Sequence, residues 1–78
     1  MKKLSDLKEK SKGKIISLER PAISDSQITE LLELGFYPGA IVECQSYQPS
    51  LEKMVLMIGG TIVGLRVEDC KHIIIESN

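Results

Sequence analysis

The stretch Glu33-Leu34-Gly35-Phe36-Tyr37-Pro38-Gly39-Ala40-Ile41-Val42-Glu43-Cys44 decides how this chain folds. Its apolar and acidic run stops at Gly35, a residue that tolerates positive φ and so ends a helix in the left-handed conformation. Phe36 can then fold back onto the last helical turn. Pro38 and Gly39 suit the two central positions of a type II turn, where proline fixes the first φ and glycine supplies the positive second one. From Ala40 the pattern alternates, with Ala40, Val42 and Cys44 on one side and Ile41, Glu43 and Gln45 on the other. A helix end, a tight turn and a strand start thus follow one another, and their physics is complete without any chemistry.

The segment before this joint predicts a helix of about three turns. Ser24 and Gln27 fit a capping box, and Ile23 and Ile28 fall at the positions of a hydrophobic staple. Asp25 sits in the first turn, where a carboxylate meets the positive helix end. Ile28, Leu31 and Leu32 make an apolar stripe, with Ile23 and Leu34 at its margins. Ahead of the helix, Lys14 to Glu19 reads as a strand with Ile16 and Leu18 on one face, ended by Pro21. Met1 to Lys12 is mostly charged, and Leu4 and Leu7 are spaced to tuck against the body. After the joint, Ala40 to Tyr47 is a strand and Gln48 to Lys53 a polar loop. Met54 to Ile58 is a strand apolar on both faces. Gly59 and Gly60 favour a tight hairpin turn into a strand from Thr61 to Leu65, where Gly64 allows a bend. Arg66 to Cys70 reads as a single helical turn, and His72 to Glu76 as the last strand. The result is an all-β domain of five to six short strands with one inserted three-turn helix. A small, strongly bent barrel is expected, because closure removes exposed sheet edges. A half-open sheet covered by the helix is the competing architecture.

Length and composition bound the function. The 78 residues support a single domain, 1–78. Ten basic residues nearly balance eleven acidic ones, which argues against a generic nucleic-acid binder. The longest apolar run contains Gly59 and Gly60 and is too short to span a bilayer as a helix. Lys2 and Lys3 are followed by no apolar core, so no secretory leader is expected. Cys44 and Cys70 read as reduced thiols of a cytoplasmic protein.

Several residues invite chemistry, and each also has a plainer role. Cys70, His72 and Asp69 offer mixed sulfur, nitrogen and oxygen ligands, but their spacing matches no closed zinc pattern, and they stand as weak metal candidates only. No nucleophile lies in a recognisable frame around His72. Gly59 and Gly60 lack the spacing and terminal lysine of a phosphate loop. No enzyme and no cofactor are therefore expected. Arg66, between a strand and an acidic turn, is assigned mainly to holding that turn through its guanidinium. Its sharper alternative is an arginine that reaches into a partner's nucleotide site. Phe36 and Tyr37 at the helix-to-strand corner, Tyr47 at a strand end and Leu51 in the loop form, with Arg66, the expected partner-binding set. Ile41, Val55, Met57 and Ile62 add an apolar pattern on the outer sheet face, suited to a protein partner or to a second copy. Gly35, Pro38, Gly39 and Gly60 are structural turn residues.

Leu31-Leu32-Glu33-Leu34-Gly35-Phe36-Tyr37-Pro38-Gly39 resembles the ferrous iron transport protein A family, FeoA. Two further pieces sit in the family's order, Leu4-Ser5-Asp6-Leu7 with Gly13, and Gly60-Thr61-Ile62-Val63-Gly64-Leu65-Arg66 followed by the Cys70 turn. The resemblance implies an SH3-like barrel in the cytoplasm. It also implies a non-catalytic accessory or regulatory role in ferrous iron uptake, beside the membrane transporter that carries a cytoplasmic GTPase domain. Related domains end iron-dependent repressors, which makes a metal-responsive regulatory module the alternative. Gln27-Ile28-Thr29 replaces the family's arginine-containing pattern, and Cys70 stands where alanine is frequent.

Overall fold

The computed structural model describes residues 2–77. Its strands are β1 (Lys2–Lys3), β2 (Lys12–Leu18), β3 (Ile41–Gln48), β4 (Lys53–Ile58), β5 (Thr61–Arg66) and β6 (Ile73–Ser77). Helix α1 (Asp25–Leu34) lies between β2 and β3, and the short α2 (Val67–Cys70) between β5 and β6. Single 3-10 turns occupy Leu4–Asp6 and Pro49–Leu51. All strands join one antiparallel sheet in the order β1-β6-β2-β3-β4-β5.

The sheet is open, which corrects the expected closed barrel. β1 bonds only to β6 and β5 only to β4, so the two edges are not joined by a ladder. The reason lies in how the chain leaves each edge. Lys3 passes directly into the Leu4–Asp6 turn, and Arg66 directly into α2. These two helical turns pack on each other, and Leu4 and Cys70 are both fully buried. Side-chain packing therefore stands where a barrel would place strand hydrogen bonds. The all-β class with one inserted helix holds.

α1 forms as its sequence dictates. The Ser24 hydroxyl accepts the Gln27 N–H at 3.3 Å, and the Gln27 side chain accepts the Ser24 N–H at 3.3 Å. Ile23 and Ile28 are both buried, consistent with the staple. At the far end Gly35 has φ 108°. Its N–H donates to the Leu32 carbonyl at 3.1 Å, while the Phe36 N–H donates to the Leu31 carbonyl at 2.9 Å. This is the paired pattern of a Schellman cap. Tyr37 and Ala40 then close the type II turn with a 3.0 Å bond, with Gly39 at φ 96°.

Two bulges reset which residues face inward. In β2 the pairing with β6 shifts between Ile15 and Ser17, so the core face carries Gly13 and Ile15, while Ile16, expected inward, is only half-buried. In β3 Val42 and Cys44 face the core as simple alternation requires, and the shift comes only after them, between Cys44 and Ser46. β4 is one-sided: Met54, Leu56 and Ile58 are buried, and Val55 and Met57 sit on the opposite face, half-buried. On α1 the buried positions are Ile28 and Leu31, and Leu32 is 42% exposed. The helix thus contacts the core along a narrower face than its apolar stripe.

Two outcomes follow for stability. Gly35→Ala should cost about 1–2 kcal/mol, because the new Cβ finds ordinary space beside Ile58 but must adopt positive φ. Leu4→Ala should cost about 2–5 kcal/mol despite its place near the chain start, since it empties a fully buried site. Urea unfolding of both variants against the parent checks both figures.

Candidate functional site

The sequence places the pieces of a groove at distant positions, and the fold gathers them. The bulge in β3 shifts its alternation by one residue, so Tyr47 turns its N–H toward the side where β2 has ended. There Glu9 supplies the missing acceptor, its carboxylate taking the Tyr47 N–H at 2.9 Å. Pro49 opens the 3-10 turn that follows, and Glu52 ends it at φ 54°. The Glu52 carbonyl accepts the Val67 N–H at 2.8 Å, tying this turn to the start of α2. Between the two walls lies a groove of about 510 Å³, lined by Tyr47, Pro49, Leu51, Glu52, Lys53, Arg66, Val67, Glu68 and Lys71.

Charges in the groove wall are partly committed. Arg66 donates to Asp69 through both arms of its fork, at 3.1 and 3.3 Å. This is the turn-holding role assigned to it, and bidentate geometry gives the pair orientation as well as attraction. Lys71 pairs with Glu68 at 3.4 Å. Among the described residues Glu52 and Lys53 make no ion pair. Leu51 is 64% exposed, an apolar side chain held out by its turn.

Of the expected partner-binding set, Tyr47, Leu51 and Arg66 line this one groove. Tyr37 is exposed at the Pro38-Gly39 turn, outside it. Phe36 is fully buried and offers no surface. The Schellman cap turns it back onto the core, so its place at the corner is structural. Val67, Lys53 and Lys71 also line the groove, a place no local pattern signals, because it depends on the Val67–Glu52 bond between segments. On the outer sheet face Ile41 and Ile62 are exposed, and Met57 pairs directly with Ile62.

The weak metal candidates point three ways. Cys70 is buried in the core, Asp69 holds Arg66, and the His72 ring lies 3.4 Å from the Glu19 carboxylate. Among the described residues no three of His, Cys, Asp and Glu are placed to hold a metal. Both cysteines are free thiols. Burial, then the Asp69 carboxylate and Cys44, push the Cys70 thiol from 9.0 up to about 12. Burial and then Glu9 raise the Cys44 thiol as well.

The fold and groove define a small all-β domain that offers a concave, mixed apolar and charged surface. Among the described residues no helix is long and apolar enough to cross a membrane. The chain belongs to the FeoA domain family, whose model matches residues 2–77. That family comprises small domains associated with ferrous iron transport systems. The chain is similar to the solution structure of iron(II) transport protein A from Clostridium thermocellum, with TM-score 0.85 and 29% identity over 96% of this chain and 44% of that one. It is also similar to FeoA of Stenotrophomonas maltophilia in complex with zinc, with TM-score 0.83 and 25% identity over 97% of this chain and 91% of that one. A manganese-dependent transcriptional repressor shares the fold alone, with TM-score 0.84 and 13% identity over 99% of this chain and 41% of that one. No curated protein matches this sequence.

The buried thiols set a pH limit. A folded-state pKa of about 12 against an ordinary 9.0 means that the folded chain keeps the Cys70 proton that the unfolded chain releases. Its contribution is complete below about pH 9 and is lost as pH rises toward 12, by about 1.4 kcal/mol per pH unit. Cys44 acts in the same direction. Denaturant titrations between neutral and alkaline pH should show this falling slope, and Cys70→Ala should flatten it.

Proposed function

We propose that this domain is a cytoplasmic, non-catalytic accessory protein of ferrous iron uptake. It docks through its groove on the cytoplasmic part of the GTPase-bearing membrane iron transporter and biases that partner's state. The observation that carries the reading is the convergence of Tyr47, Leu51 and Arg66 on one concave surface, in a chain of the FeoA domain family. Such a surface combines an aromatic ring, an exposed aliphatic side chain and charged rims, the mixture that protein interfaces favour. Arg66 is engaged by Asp69 and supports the groove wall, which makes a structural rather than a nucleotide-site role the simpler assignment. Regulation requires different affinities for two states of the partner.

A metal-responsive module is the rival class. The repressor likeness concerns the fold alone, and Cys70, His72 and Asp69 are each directed elsewhere. Neither observation favours that rival.

Calorimetry with the transporter's soluble GTPase domain tests the proposal. Titrations would be made without nucleotide, with GDP and with a non-hydrolysable GTP analogue. Affinity should depend on the nucleotide, and Leu51→Asp should weaken it at least about tenfold, as for an interface anchor. Leu32→Asp, at an exposed position on α1 away from the groove, should leave it unchanged. Equal binding in all three states would refute regulation, and binding indifferent to Leu51→Asp would refute the groove.

A further inference from the structure

The two edges of the open sheet are unequally protected. β1 has two residues, both lysine. Short, charged edges resist pairing with another strand. β5 has six residues, pairs with β4 without a bulge, and carries neither charge nor proline before Arg66. It lacks the shortness, bulge and proline that commonly blunt an edge, and its one charge is the terminal Arg66.

The hairpin turn determines which backbone groups β5 leaves open. Gly59 and Gly60 have φ 57° and 79°, as a type I′ turn requires, and Ile58 and Thr61 form its closing pair. Hydrogen-bonded and non-bonded pairs alternate along an antiparallel ladder. Thr61, Val63 and Leu65 therefore direct their N–H and C=O groups at β4, whereas Ile62 and Gly64 direct theirs at the free edge. The bond from the Val67 N–H to the Glu52 carbonyl keeps the same phase. Among the described residues no turn, loop or side-chain bond reaches the backbone of Ile62 or Gly64.

The side chains on this edge complement themselves. Ile62 is 54% exposed on the outer face. Gly64, two positions on and on the same face, has nothing within 4 Å of where a Cβ would stand. We propose that β5 pairs with β5 of a second copy, antiparallel about a two-fold axis through Val63. In that register Ile62 of each copy faces Gly64 of the other, and these residues exchange their free hydrogen bonds. The Ile62 side chain lies over the bare glycine, between Met57 of its own copy and Val55 of the second. A copy of this chain is the fitting occupant because protrusion and gap flank one axis on one strand, which makes the contact isologous. The uncharged centre brings no like charges face to face, and the Arg66 guanidinium at the end is already held by Asp69.

Sedimentation equilibrium from about 10 μM to about 1 mM covers the affinities that a small edge contact reaches. The intact chain should dimerise within that range, and Ile62→Lys should lower the association constant at least about tenfold. Amide exchange at Ile62 and Gly64 should slow as concentration rises, while Val63, already bonded to β4, stays unchanged. Val63→Cys should yield a covalent dimer on mild oxidation, because residues opposed at a non-bonded pair lie about 4.5 Å apart, within disulfide reach. The native cysteines are buried, so the parent chain supplies a clean control. A chain monomeric at every concentration would overturn the proposal. So would a dimer indifferent to Ile62→Lys, with unaltered exchange at Ile62 and Gly64. Protection of those amides in a monomer, on addition of the transporter domain alone, would assign the edge to that partner and overturn the second copy.

Discussion

The Schellman cap at Gly35 and Phe36 is the constraint on which the rest of the structure depends. Two hydrogen bonds to the Leu31 and Leu32 carbonyls fix where α1 stops. The positive φ of Gly35 then sends Phe36 inward, where it is fully buried. This pair of residues thereby ends the helix, supplies the one phenylalanine of the core and aims the chain at the Pro38-Gly39 turn. That turn is tied back to the first long strand, since the Gly39 N–H donates to the Ile15 carbonyl at 2.8 Å and the Ile15 N–H to the Ala40 carbonyl at 2.8 Å. The helix insertion and the β2–β3 pairing are thus one mechanical unit.

From that unit the sheet grows in both directions, and its ends stay open. A closed barrel of this size would satisfy every strand edge through hydrogen bonds. Here the chain changes conformation at each edge instead, and the interior is sealed by Leu4 and Cys70 beneath two packed helical turns. This arrangement makes the first residues part of the core. It also concentrates the unprotected backbone on β5, because β1 is both short and charged.

The groove is a product of the same irregularities. A regular β3 would direct Ser46 rather than Tyr47 at the end of β2. The extra residue of the bulge rotates Tyr47 into line with Glu9. The loop after β3 and the turn before α2 are then brought together by one backbone bond between Val67 and Glu52. Binding surfaces commonly lie on such connections, held by a rigid scaffold. In this chain Leu51 projects from one connection and Arg66 borders the other.

The sequence by itself determined the elements that local chemistry controls. The capping box at Ser24, the left-handed Gly35, the Pro38-Gly39 turn and the Gly59-Gly60 hairpin each rest on contacts within a few residues, and each forms as read. The inward faces of β3 and β4 were legible for the same reason, since alternation is a local property. Only the tertiary structure decided the rest. Ile16 and Leu32 look like core residues by pattern, but a bulge follows Ile15 in β2 and α1 buries only Ile28 and Leu31 of its stripe. Phe36 reads as a surface aromatic and is buried. Tyr47, Leu51 and Arg66 are legible singly as candidate contact residues, whereas their union in one groove depends on a bulge and a long-range hydrogen bond. The open sheet was decided last of all. Closure depends on whether two distant edges meet as strands or as helical turns, and no interaction within either segment specifies its partner.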